Sequence, residues 1–246
     1  MSTPVLQLSK VSKGYHALRP LRIEALTIAA GEHVAVEGID QPAAEVLINL
    51  VTGATLPDQG EVRIFGHLTS SISDSDEWLA VVDRFGIVSE RAVLLEAFSV
   101  VQNLAIPFSL DVEPLDAGLR DRAIALAREV GLQEGDWDRR LADLGGPSRL
   151  RVRLARALAL DPAIIVFEHP SASLARGEAV TAGRELRRVI ERRRLPDGQA
   201  PASLTLTADL ELAGAIATRV LSLDPASGRL SDRRRRGWFG RGTASL

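Results

Sequence analysis

The stretch Val34-Ala35-Val36-Glu37-Gly38-Ile39-Asp40-Gln41-Pro42-Ala43-Ala44-Glu45-Val46-Leu47-Ile48-Asn49-Leu50-Val51-Thr52-Gly53 constrains this chain more than any other. Its apolar opening reads as a buried strand, Gly38 as a tight turn and the residues from Ala43 onward as a helix. A strand that passes through a glycine turn into a helix is the setting of a phosphate-binding loop and implies a parallel α/β sheet around it. The loop's own residues depart from that chemistry. The motif G-x-x-x-x-G-K-[ST] uses its second glycine for close approach of backbone N–H groups, its lysine for the outer phosphates and its hydroxyl for Mg²⁺. Ala43, Ala44 and Glu45 stand at those three positions. The two lysines of the chain, Lys10 and Lys13, both lie upstream, so no neighbour in sequence replaces the missing one. Glu45 also sets a carboxylate where a phosphate and the positive end of the helix would meet.

The rest of the chain supports one large α/β unit. Val5 to Val11, Leu21 to Ile28 and Glu61 to Phe65 read as half-buried antiparallel strands, an antiparallel edge beside the core. The apolar runs Val34 to Val36, Ala163 to Phe167 and Leu204 to Thr207 read as buried parallel strands, with a last strand at Val220 to Leu223. Helical periodicity runs from Leu119 to Val130, from Arg151 to Leu160, from Gly183 to Arg194 and from Glu211 to Thr218. This divides the chain into an α/β unit over 1–230, with a helical subdomain inserted at about 90–160, and an irregular basic tail over 231–246. With 246 residues, 46% hydrophobic and 25% charged, a sizeable core is expected. Cysteine is absent, which excludes disulfides and thiolate metal sites. No apolar run approaches the roughly 20 residues of a membrane span, so any membrane role goes through a partner. The net charge of −2 gives no general attraction to nucleic acid.

These segments, in order, resemble the ATP-binding cassette of ABC transporters over roughly residues 5 to 230. Tyr15 follows the first strand, Leu56-Pro57-Asp58-Gln59-Gly60-Glu61-Val62 marks a turn, and Phe85-Gly86-Ile87-Val88 leads to the Q-loop position. Ser99-Val100-Val101-Gln102-Asn103-Leu104-Ala105-Ile106-Pro107 resembles the mouth of the helical subdomain, and Ala155-Arg156-Ala157-Leu158 the helix after the signature motif. Asp161 to Leu174 resembles Walker B running into the D-loop. The fold implied is α/β, a P-loop NTPase-like parallel core sheet with an antiparallel β edge and an inserted helical subdomain. Tyr15 is then the residue that stacks on adenine, and Gly38, Asp40, Ala43, Ala44 and Glu45 form a vestigial phosphate loop. Gly145 and Gly146 are a vestigial signature.

The resemblance also places the departures. Glu90 stands at the Q-loop glutamine, Glu168 at the Walker B aspartate, His169 at the catalytic glutamate, Ala175 at the D-loop aspartate and Ala208 at the switch histidine. A charged hydrogen bond is worth about 1.5–3 kcal/mol, so losing the lysine and hydroxyl implies a large loss of phosphate affinity. The expectation is a pseudo-ATPase that keeps the cassette shape, with no catalytic residue, no metal, and no cofactor or only weak ATP. In this reading it is a subunit of an asymmetric ABC transporter, peripheral on the inner face of the cell membrane. Its partners are a catalytic ABC cassette and a membrane permease seated on the Leu94 to Pro107 region, with no specific nucleic acid. The tail Arg233-Arg234-Arg235-Arg236-Gly237-Trp238-Phe239-Gly240-Arg241 suits anionic lipid. Two alternatives stand beside it. One is a soluble scaffold or regulator away from any transporter. The other is an atypical ATPase with a cation supplied in trans, for which Arg149 and Arg151 are candidates.

Overall fold

The computed structural model describes residues 4–233. The chain runs through β1 (Leu6–Lys13), β2 (Leu21–Ile28), β3 (His33–Glu37), α1 (Gln41–Val51), β4 (Gln59–Ile64), β5 (His67–Leu68), α2 (Ser75–Val82) and β6 (Phe85–Val88). It continues through α3 (Val100–Ala105), α4 (Ala117–Glu129), α5 (Gly146–Leu158), β7 (Ile164–Glu168), α6 (Ala179–Arg192), β8 (Ala202–Thr207), α7 (Leu210–Ile216), β9 (Arg219–Leu223) and β10 (Leu230–Asp232). Six strands form the core sheet in the order β10-β9-β3-β8-β7-β6, and four form an antiparallel sheet in the order β2-β1-β4-β5. In the core sheet β9, β3, β8, β7 and β6 pair in parallel, and β10 closes one edge antiparallel to β9.

The uninterrupted apolar runs are explained by burial on both faces of this sheet. Side chains alternate along a strand. Val34 and Val36 of β3, with Ile164 and Val166 of β7, face a core shared with α1, β1, β2 and β4. Ala35, Ile165 and Phe167 face the opposite core, built with α3, α4, α5, α6 and α7. The antiparallel strands therefore cover one face of the parallel sheet through α1, and the helices cover the other.

Local chemistry sets the helix ends. Asp40 caps α1 by accepting from the Ala43 N–H at 2.9 Å, and Pro42 stands in the first turn, where its missing N–H costs nothing. Ser99 and Gln102 form a reciprocal capping box at the start of α3. Helix α5 begins five residues earlier than its apolar periodicity predicts, because Pro147 in Gly145-Gly146-Pro147 suits a first helical turn as well as a loop. Gly183 lies inside α6, where a Cβ would stand 2.9 Å from the Ala215 Cβ, so its absence lets α6 approach α7. Ser231 and Asp232, expected in the irregular tail, are paired into β10 beside Ser222 and Leu221. Arg233, the first of the tail's arginine run, is described and pairs with Glu37 at 2.7 Å, and residues 234–246, including Trp238 and Phe239, lie outside the described residues.

Gly86 joins the core sheet to the helical side. A Cβ there would stand 2.5 Å from the Ala157 carbonyl oxygen of α5, a backbone atom that cannot swing aside. Gly86→Ala is expected to lower stability by about 1–3 kcal/mol through overpacking. Urea unfolding checks this, and an unchanged midpoint would show that β6 and α5 are not held at this distance.

Candidate functional site

The C-terminal ends of adjacent parallel strands bring together residues far apart in sequence. β6 and β7 pair with Val88 opposite Phe167, so Ser89, Glu90 and Arg91 emerge beside Glu168 at the end of β7. β3 ends at Glu37, and Gly38, with φ of 80°, turns the chain into α1. The residue this arrangement centres on is Glu168, whose exposure is 1%.

A buried carboxylate is costly unless charge and hydrogen bonds compensate it. The Gln41 amide donates to one oxygen of Glu168 at 2.8 Å. The Ser89 hydroxyl donates to the other, and the Arg91 Nε and Nη2 reach that same oxygen at 3.1 Å each. The Arg91 Nη1 lies 2.7 Å from Glu45 Oε1. Ser89 Oγ also accepts from the backbone N–H of Arg91 at 3.0 Å, which fixes where that side chain starts. One guanidinium thus bridges the loop helix and the end of β7.

The residues singled out in the sequence fall into several places. Tyr15, Gly38, Asp40 and Ala43 line a small cavity of about 110 Å³ together with Arg19, Ile39 and Pro225. Burial, and then the neighbouring Asp40 carboxylate, push the Tyr15 phenol above its ordinary value. Ala44 is fully buried in the core against the antiparallel sheet, so its side chain does not face the loop. Glu45 is half exposed and faces Arg91. His169 takes a left-handed backbone with φ of 42°, and its Nε2 is buried without a hydrogen-bond partner. Ala208 is exposed after β8.

Gly145 caps α5, and a Cβ on Gly146 would stand 2.3 Å from the Ser173 carbonyl oxygen, so the start of this helix lies against the segment after β7. Glu90 pairs with Arg153 of α5. Burial lowers the Arg153 guanidinium pKa from its usual value, Glu90 partly offsets this, and Arg153 Nε and Nη1 have no hydrogen-bond partner. Arg149 and Arg151, the candidate cations in trans, pair within the chain with Glu96 and Glu185.

Three participants were missed in the sequence: Gln41, Ser89 and Arg91. The signal that finds them is the parallel register of β6 against β7, which is not local. It also removes the premise that no cation reaches the loop. None precedes or follows it closely in sequence, but Arg91 reaches it in space.

Comparison with known proteins defines the class. The ABC transporter family profile matches residues 25–172. The lipoprotein-releasing system ATP-binding protein LolD of Saccharophagus degradans is 33% identical over 178 residues, covering 71% of this chain and 77% of its own. The macrolide export ATP-binding/permease protein MacB of Chlorobium phaeobacteroides is 31% identical over 175 residues, covering 69% of this chain and 26% of its own. A dimeric ATP-binding cassette solved in a post-hydrolysis state with ADP and phosphate shares the fold with a TM-score of 0.70 at 22% identity, covering 93% of this chain and 99% of its own. The chain belongs to the ABC transporter family, as an ATP-binding cassette.

The expectation of a pseudo-ATPase is corrected by these matches, and of the two cofactor expectations, none or weak ATP, the first is not supported and the second is compatible with them. The relatives are named as ATP-binding proteins of transport systems. The expectation rested on the replaced lysine, hydroxyl, catalytic glutamate and switch histidine, and for the lysine it did not count Arg91, which reaches the loop in space.

The hydrogen-bond count at Glu168 yields a test. Ser89→Ala removes a donor from a buried carboxylate and the anchor of the Arg91 backbone, and is expected to cost about 1–3 kcal/mol. A denaturant midpoint equal to that of the unsubstituted protein would show that Ser89 does not stabilise the carboxylate.

Proposed function

We propose that this chain is the ATP-binding subunit of a membrane transporter, working with a second ATP-binding cassette and a membrane permease at the inner face of the cell membrane. The observation that carries this reading is the convergence of the Gly38 turn, the α1 start, Arg91 and Glu168 at the C-terminal ends of parallel strands, where α/β sheets place their ligands. Family membership supplies the ligand, ATP.

The residues present fit that group on two counts. The half-buried ring of Tyr15 lines the cavity beside the α1 start and offers an apolar wall to a base. Arg91 offers a planar guanidinium suited to phosphate oxygens. Asp40 and Glu45 oppose a bare polyphosphate, which favours the nucleotide as its magnesium complex. When bound, ATP supplies the free energy that drives transport. Tyr15 orients the base, and Glu168 with its three donors holds the end of β7 next to the loop.

The permease reading is supported by the Leu94 to Pro107 region. Leu94, Pro107, Phe85, Arg153, Arg156 and Leu160 line an open groove of about 270 Å³. Val93, Leu95 and Leu160 expose apolar side chains around it, at 72%, 38% and 54%. Asn103, with no exposure, holds this segment by bonding the Leu95 N–H and carbonyl and the Ser99 carbonyl. Among the described residues no helix is long and apolar enough to cross a membrane.

Calorimetric titration of the purified chain with ATP tests the reading. Saturable binding that requires Mg²⁺ is the expected result. No heat up to millimolar ATP with Mg²⁺ present would overturn it.

A further inference from the structure

Arg91 is exposed enough to meet a ligand, is held in place by its backbone, and is shared between two unequal carboxylates. Glu168 is 1% exposed by side chain and also bonded by Gln41 and Ser89, so it is a fixed partner. Glu45 is 47% exposed by side chain and meets Arg91 through a single contact of 2.7 Å. An exposed ion pair contributes little to stability, and Glu45 regains water when it leaves, so this half of the bridge exchanges readily. The donor facing Glu45 points toward the loop helix, where the motif position for a lysine holds the buried Ala44.

We propose that Arg91 is the phosphate-binding cation of this cassette, taking over from the absent loop lysine, and that Glu45 occupies its Nη1 until the outer phosphates of a nucleotide displace it. The inference rests on the nucleotide-binding reading above and names the residue that makes it work. Guanidinium suits this role because its planar fork donates two parallel hydrogen bonds to phosphate oxygens while other N–H groups stay on Glu168. Glu45 is then a competitor of the ligand, so removing it has the opposite effect to removing Arg91. A purely structural bridge between α1 and β7 has no such opposition, because either loss would loosen the site.

Titration calorimetry of the full chain with ATP and with AMP, both with Mg²⁺, tests this on four variants checked for folding by circular dichroism. Arg91→Ala is expected to weaken ATP binding about tenfold or more, as for loss of a charged hydrogen bond, and to leave AMP binding within about twofold. Arg91→Lys is expected to lie between, since it keeps the charge and loses the fork. Glu45→Ala is expected to strengthen ATP binding. The double variant, Glu45→Ala with Arg91→Ala, is expected to remain as weak as Arg91→Ala. Recovery of ATP affinity in the double variant would overturn the inference, because Arg91 would then only neutralise Glu45. Equal ATP affinity of Arg91→Ala and the unsubstituted protein would overturn it as well, with the nucleotide-binding reading left standing. Absence of ATP binding by the unsubstituted protein would overturn both.

Discussion

A carboxylate buried to 1% exposure has to be met by charge and by hydrogen bonds, and meeting Glu168 ties together three separate segments of this protein. Gln41 reaches it from the first turn of α1, while Ser89 and Arg91 reach it from the segment after β6. Each donor is available only because β3, β8, β7 and β6 stand side by side in parallel, with their C-terminal ends aligned. The apolar cores on the two faces of the sheet hold that alignment. Packing sets the strands, the strands set the loops, and the loops meet at one carboxylate.

The same arrangement couples the site to the helical side of the molecule. Glu90, between Ser89 and Arg91, turns away from Glu168 and pairs with Arg153 on α5. Gly86, four residues earlier, lets β6 lie against the Ala157 carbonyl of the same helix. At its other end α5 starts with Gly146 against Ser173, in the segment that follows β7. A change at Arg91 therefore has a short, contiguous route to α5 and to the groove lined by Arg153 and Arg156. That route is the physical content of coupling between a nucleotide and a permease in the proposed reading.

Much of the fold was legible from periodicity. β2 matches its expected bounds, β3, β8 and β9 extend the expected apolar runs by one or two residues, and β7 is shifted by one residue from its run, since burial on one or both faces writes itself into local sequence. What escaped were short or polar elements. α2, carrying Asp76 and Glu77 in its first turn, has a single buried residue, Val81, and β10 is three residues long. The site was half legible. The Gly38 turn and Glu45 were marked by motif spacing, and Tyr15 and Glu168 by the family resemblance, but the meaning of Glu45 depends on Arg91, forty-six positions away and brought near by strand register. Reading the motif positions one by one left out a cation that only strand register brings to the loop.

The central claim is that the cation of this site comes from the segment after β6. A structure of the chain with Mg²⁺ and a non-hydrolysable ATP analogue tests it most directly. The account predicts Arg91 Nη1 within hydrogen-bond distance of an outer phosphate oxygen and Glu45 turned to solvent, with the Nε contact to Glu168 kept. A bound analogue whose phosphates lie away from an Arg91 still paired with Glu45 would contradict it.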